Sequence, residues 1–307
     1  MEKKKSVWNS IRKDFRRNKY IYLLVVPVIA YFLIFHYKPM YGLVIVFKRY
    51  RSTAGISGSP WVGLENFRRV FMDPFFGRIL KNTISISLYS ILFTFPAPIV
   101  LALMLNEVRH SRFKRTVQTI SYMPHFISVV VMCSVITVFC GSGGLFNTII
   151  EFFGGERSNL LNKKSLFYLI YVGSEIWQNI GWSSIIYLAA LAGIDVEQYE
   201  AAKMDGANRI QQMFYITLPG LMPTASMLLI LRMGSLLSIG REKILLLYTP
   251  LTYEVADVIS TYVYRKGFVN QDYSYGTAVE IFNSIVNIIM LLITNKLSKR
   301  VGQSGLF

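Results

Sequence analysis

Glu200-Ala-Ala-Lys-Met-Asp-Gly-Ala-Asn-Arg-Ile-Gln-Gln-Met-Phe-Tyr-Ile-Thr-Leu-Pro219 is the longest polar stretch in the second half of an otherwise apolar chain, and it lies between two hydrophobic runs of membrane length. Its local chemistry predicts helix, break, helix. Asp195 suits the N-cap position, and Gln198 three residues on completes a capping box. Val196, Tyr199 and Ala202 then share one helical face, and the helix stops at Asp205-Gly206, where glycine supplies a left-handed C-terminal residue. A second short helix starts near Asn208, and Pro219 opens the next apolar run. A helix of about ten residues does not hold itself together in water. It must dock on something, and the small residues Ala201, Ala202, Gly206 and Ala207 leave its backbone open to close approach.

The surrounding 307 residues are 53% hydrophobic and only 16% charged, where a soluble protein carries about a quarter charged residues. That composition describes a polytopic membrane protein. The net charge of +16 does not imply a nucleic-acid partner, because the basic residues fall between apolar runs instead of on one soluble domain. Cys133 and Cys140 lie in one apolar run, about 10 Å apart along a helix, which is too far for a disulfide and fits buried small apolar residues. No small-residue cleavage site follows the first apolar run, so a cleavable signal peptide is not expected.

Six runs have about the twenty residues that a membrane-spanning helix needs. After a basic arm (1–19), in which Trp8, Ile11 and Phe15 recur at helical spacing, they fall near 20–37, 82–105, 116–139, 166–191, 221–239 and 276–297. The basic arm reads equally as an amphipathic helix on the membrane surface or as a solvated tail. The first span and its connection fill 20–81, a core fills 82–297 with the polar loop at 195–219, and a tail fills 298–307. Pro96 and Pro98 predict a kink in the second span. Of the Lys and Arg residues, 17 lie on inner and 15 on outer segments when the N-terminus is placed inside, with Arg232 within a span. The near-tie is resolved by weighting short loops and helix ends, which places both termini and the 195–219 loop in the cytoplasm.

The polar stretch resembles the EAA loop of the membrane permeases of ABC importers: Glu200-Ala201-Ala202, Asp205-Gly206-Ala207 and Leu218-Pro219 match its pattern. Two further segments resemble the maltose-type carbohydrate-uptake family, in its polysaccharide or oligosaccharide branch. They are Trp61-Val-Gly-Leu-Glu-Asn-Phe67 and the run from Leu246 to Arg265. The resemblance implies an all-α type I importer permease fold with six transmembrane helices, in the cell membrane. It also implies that Glu200, Ala201, Ala202, Asp205, Gly206, Ala207, Leu218 and Pro219 form a coupling helix seated on an ATPase. The implied partners are a second homologous permease, two ATP-binding subunits and an extracellular sugar-binding lipoprotein. No cofactor is then held by this chain, and ATP and Mg belong to the ATPase subunits. A permease for a non-sugar solute, and a membrane enzyme or sensor with a fortuitous loop, are the alternatives.

The residues agree with a transport role. No Gly-x-x-x-x-Gly-Lys-Ser/Thr phosphate loop occurs, and His36, His110 and His125 lack metal-ligand spacing. No nucleophile, histidine and acid set is legible. The tyrosines Tyr253, Tyr262 and Tyr264 read individually as interfacial anchors. Polar groups inside spans are costly and face a cavity or a partner helix. Glu175, Gln178 and Asn179, with Trp177 and Trp182, are therefore substrate-pathway candidates, since sugars offer hydroxyls to amides and ring faces to indoles. Interhelical hydrogen bonding is the competing use. Arg232 is expected to line the translocation cavity or to pair with Glu175 or Glu280.

Overall fold

A computed structural model describes residues 13–15, 17–302 and 305–306; most of the basic arm, with Trp8 and Ile11, lies outside the described residues. Those described are helical apart from loops and one isolated bridge between Lys48 and Trp61. In chain order the principal helices are α1 (Lys19–Phe47), α2 (Glu65–Met72), α3 (Phe76–Glu107), α4 (Ser111–Tyr122), α5 (Val129–Cys140), α6 (Leu145–Phe152) and α7 (Phe167–Ala192). They continue with α8 (Val196–Met204), α9 (Arg209–Met233), α10 (Arg241–Leu247), α11 (Ile259–Val263) and α12 (Tyr273–Arg300).

Among the described residues five helical segments are long and apolar enough to cross a membrane: Lys19–Phe47, Phe76–Glu107, Val129–Phe152 (α5 with α6), Arg209–Met233 and Tyr273–Arg300. Lys164–Ala192 meets the same standard together with α8, from which it is bent by 67°. That bend marks the point where the fourth span ends and the polar loop begins, so the six-span reading holds. The boundaries differ from the sequence-based expectation: the second span starts earlier, at Phe76, and the fifth runs from Arg209 to Met233 instead of 221–239. The first helix continues ten residues past Tyr37, to Phe47, because a π turn and a 3-10 segment carry it through Pro39. The apolar run at 116–139 is two helices, α4 and α5, separated by a 3-10 turn at Met123–Phe126. Pro124 cannot donate to the ladder there. The kink expected at Pro96 and Pro98 is a one-residue interruption at Phe95.

The helix break between α4 and α5 packs directly on α7. Gln178, buried on α7, donates to the Ile127 carbonyl at 3.1 Å, so a carbonyl freed by the break is satisfied from the neighbouring span. Gly181, one turn later, lies so close that an added Cβ would sit 2.2 Å from the Ser121 carbonyl oxygen. Small residues at such crossings let backbones meet without side chains between them.

At the other end of the bundle, the connection between α9 and α12 folds back into the helices instead of lying over them. Asn82 donates to the carbonyls of Glu254 (2.9 Å) and Asp257 (3.0 Å), and Thr83 Oγ1 accepts from the Ile259 amide. Tyr262 is consequently buried, and it and Tyr275 both donate to Asp73. This corrects the reading of Tyr262 as an interfacial anchor, while Tyr253 and Tyr264 remain exposed. Burial raises the Asp73 carboxyl pKa. The hydrogen bonds from Tyr262, the Phe75 amide and Tyr275, together with the Lys266 ammonium, outweigh that and hold it below its ordinary value. Cys133 and Cys140 are free and buried in the cluster that holds Met132, Phe167 and Ile244.

Replacing Gly181 with Ala should lower the thermal midpoint of the detergent-solubilised protein, with a cost of about 1–3 kcal/mol from overpacking. The same change at Gly173 of the same helix, where nothing lies within 4 Å, should leave the midpoint unchanged.

Candidate functional site

Glu175 and Arg232 meet where α7 and α9 face each other. Arg232 donates to Glu175 Oε1 at 3.0 Å, and Ser90 of α3 donates to Glu175 Oε2 at the same distance. The pair lies between two cavities. A crevice of about 60 Å³ on one side is lined by Ser87, Ser90, Tyr171 and Ser238 as well as by the pair. A wider cavity of about 390 Å³ on the other side is lined by Thr94, Asn179, Tyr187 and Leu228, again with Glu175 and Arg232. An ion pair in the wall between two cavities is both structural and reachable. Arg232 therefore lines a cavity and pairs with Glu175; Glu280, the other partner considered, contacts Asn283 on its own helix.

The remaining candidates on α7 divide by face. Asn179, one turn from Glu175, donates to the Glu175 carbonyl at 3.2 Å, which aims its own Oδ1 at His125 Nδ1, 3.0 Å away. The His125 ring stacks on Trp182 at 4.7 Å between centroids with 3° between planes. Since Asn179 Oδ1 only accepts, His125 Nδ1 is the donor in this contact. Gln178 is committed to Ile127. Trp177 is on the opposite face, in an apolar cleft with Val135, Phe139, Phe146 and Leu169, and the structure does not bring it to the Glu175 cavity.

His125 is the residue that sequence reasoning set aside. Metal-ligand spacing was the wrong criterion; the informative signal was its position beside Pro124 within an apolar run, where a helix break delivers a side chain to a neighbouring span.

The polar loop beyond α7 is built as its caps dictate. Asp195 accepts from the Glu197 amide at 3.0 Å. Gln198 does not close the expected capping box; that arrangement occurs one helix later, where Asn208 and Gln211 exchange hydrogen bonds of 2.9 and 2.7 Å. α8 ends in a Schellman turn: the Ala207 amide reaches the Ala202 carbonyl at 2.8 Å and the Gly206 amide reaches Lys203, with Gly206 at φ 80°. The second helix is not short. It runs from Arg209 to Met233, and a π turn at Met213–Thr217 absorbs the carbonyl that Pro219 cannot serve.

α8 and the start of α9 form a wedge closed by Tyr199 and Thr217 (3.0 Å) and by Gln212 donating to Ala207. Glu200, Ala201, Asp205, Gly206 and Pro219 are exposed, and Ala202, Ala207 and Leu218 are half-buried. Two apolar side chains stand out from this polar wedge, Met204 at 89% and Tyr215 at 80% exposure.

Residues 94–303 match the family described as binding-protein-dependent transport system inner membrane component. The chain belongs to that family. The permease is 45% identical over 292 residues to the polygalacturonan/rhamnogalacturonan transport system permease protein YteP of Bacillus subtilis, covering 95% of this chain and 91% of the relative. It is equally 45% identical to protein LplB of the same organism, over 95% of this chain and 92% of that one. Among solved structures it resembles a bacterial ABC transporter involved in import of the acidic polysaccharide alginate, with a TM-score of 0.89 and 42% identity over 95% of this chain and 99% of that chain. A second structure of similar likeness (TM-score 0.89, 42% identity, 96% and 99% coverage) shows an alginate transporter with a pentasaccharide-bound periplasmic protein.

In this permease α7 links the two regions: it carries Glu175 and Asn179 and ends at Ala192, just before the wedge begins at Val196. The ion pair predicts a mutational signature. Arg232→Met should assemble in the membrane but transport at least about tenfold more slowly. Adding Glu175→Gln, which removes the stranded carboxylate, should restore assembly-dependent stability without restoring uptake. Recovery of uptake in the double variant would reduce the pair to a scaffold contact.

Proposed function

We propose that this permease is one of two membrane subunits of an ATP-driven oligosaccharide importer. Substrate delivered by an extracellular sugar-binding lipoprotein enters between the permease and a second homologous membrane subunit, and two ATP-binding subunits supply the energy. Family membership and the sugar polymers named for its relatives support the substrate class. The observation that carries the mechanism is that α7 bears the Glu175–Arg232 pair along its length and leads at its C-terminal end into the exposed wedge.

On this reading Glu175, Asn179, Trp182 and Arg232, joined by His125, meet the sugar. Carboxylate, amide and guanidinium serve hydroxyl groups, and the free part of the Trp182 indole serves a ring face. Gln178 keeps the α4–α5 break in register with this face, and Trp177 packs outside it. With both termini cytoplasmic, the crevice at Ser87 and Tyr171 lies on the extracellular side of the ion pair, and the larger cavity lies on the cytoplasmic side. The closed pair then separates the two solvents, and alternating access requires it to open and re-form as the global state changes. The nucleotide and its Mg are held by the ATP-binding subunits.

Glu200, Ala201, Ala202, Asp205, Gly206, Ala207, Leu218 and Pro219 form the seat for an ATP-binding subunit. Met204 and Tyr215 supply the apolar anchors of that seat, and the small residues allow backbone approach. Ala201→Trp tests this without the strain that any side chain meets at the left-handed Gly206. Ala201 is exposed and helical, so the variant should insert and fold normally, while ATP hydrolysis and uptake lose their proportionality. Unchanged sugar uptake per ATP in the Ala201→Trp complex would remove the loop from the coupling role.

The orientation has its own test. In a background without Cys133 and Cys140, single cysteines at Ser52 and Asn270 should react with an impermeant thiol reagent added outside intact cells. A cysteine at Asn208 should not. The reversed pattern would put the loop on the wrong side for an ATPase.

A further inference from the structure

Lys243 is buried, yet among the described residues no carboxylate forms an ion pair with it. It sits on α10, and its Nζ donates to the Tyr171 carbonyl at 2.9 Å while lying 4.3 Å from the centre of the Tyr171 ring. An ammonium has three protons to place, and a single hydrogen bond is identified for this one. Its neighbours Arg241 and Glu242 are both exposed, and Arg241 lies over the Tyr264 ring. Neither is a hydrogen-bond or ion-pair partner of Lys243 among the described residues. Tyr171, the residue that holds Lys243, also lines the crevice beside the Glu175–Arg232 pair.

The local charge is therefore unbalanced. Two cations, Arg232 and Lys243, flank one described carboxylate, Glu175, which is already shared between Arg232 and Ser90. Taking a lysine out of water is costly unless a charge of opposite sign returns some of that energy. A methionine of the same length would fill the site without that penalty. The cation is useful if an anion arrives.

We infer that Lys243 is a specificity-determining residue that, with Arg232, gives the pathway a net positive charge and selects oligosaccharides bearing carboxylates, uronic acid oligomers, over neutral ones. The inference rests on the reading of this cavity as the sugar path, and Lys243 acts through its field rather than by touching the sugar. As a uronate carboxylate approaches, Arg232 exchanges Glu175 for it, and Lys243 remains as the counter-charge that keeps Glu175 from being stranded. A neutral sugar brings nothing to replace Glu175 on Arg232, so the same step leaves the excess positive charge unmatched. At separations of about 10 Å and an effective dielectric constant of about 20, one unit charge changes such a preference by about tenfold.

The test uses the complete complex in liposomes, with partner subunits and binding protein present. Uptake of a uronic acid oligosaccharide is compared with uptake of the same oligomer after reduction of its carboxyl groups to primary alcohols. Lys243→Met should lower the ratio of charged to neutral uptake about tenfold, and Lys243→Arg should retain the wild-type ratio. Lys243→Gln, which keeps a donor for the Tyr171 carbonyl, should shift the ratio as the methionine does even where Lys243→Met assembles poorly. The wild-type binding protein is common to all arms, so its own preference cancels. Equal losses of both substrates, or an unchanged ratio, would make Lys243 a packing residue and overturn the inference. Wild-type complex that moves neither oligomer would instead overturn the oligosaccharide reading beneath it.

Discussion

A peptide group removed from both water and a regular helix must find a partner among the side chains around it, and much of this permease is arranged to meet that requirement. At several breaks in the spans, an amide or hydroxyl from a neighbouring helix closes the gap. Asn66 serves the carbonyls of Val46 and Lys48 where α1 ends. Gln178 serves Ile127 at the α4–α5 break, and Asn147 spans Gly141 and Ser158 beyond α5. Ser87 and Asn287 bind the backbone of Leu236 and Leu237 just after α9 unwinds. Among the described residues Ser158 Oγ alone is a buried side-chain polar atom without a partner. In hydrocarbon, irregular backbone survives only on these terms.

The broken spans are what make the site possible. An unbroken third span would carry His125 past α7 within the helical ladder; the turn at Met123–Phe126 instead turns its ring flat against Trp182. The unwinding after Met233 opens the crevice beside Arg232 and lets α10 tuck Lys243 behind Tyr171. Polar groups that hold the bundle together and polar groups that face the cavity thus alternate along the same helices. On α7 the two uses fall on successive residues, Gln178 for structure and Asn179 for the cavity.

Much of this was written plainly in the sequence. Apolar runs gave six spans, the Glu200 to Pro219 pattern gave a wedge of helices with its left-handed Gly206, and the rarity of charge within spans pointed to Glu175 and Arg232. What stayed hidden depended on contacts between distant residues. Tyr262 reads as an interfacial anchor until Asp73, nearly two hundred positions away, comes within reach. Trp177 and Trp182 are alike in composition and differ only in helical phase, which matters once the surrounding helices are placed. The Asp195–Gln198 box does not close because Asp195 accepts from the Glu197 amide instead, a choice among first-turn amides that spacing alone does not rank.

The helix that joins ion pair to wedge runs unbroken from Glu175 to Ala192. The steps from Glu175 to Ala192 at helical rise make it a rod of about 25 Å, and each residue along it turns the direction of a side chain by about 100°. Rotation as well as distance is therefore fixed between the two ends. A single insertion anywhere along the rod would leave its hydrophobic length adequate for the bilayer, yet it would swing Glu175 away from Arg232 or turn the wedge relative to the ion pair. Substitutions can drift across the lipid-facing side of this segment, but its residue count is locked, as the tooth count of a gear is locked by the wheel it meshes with.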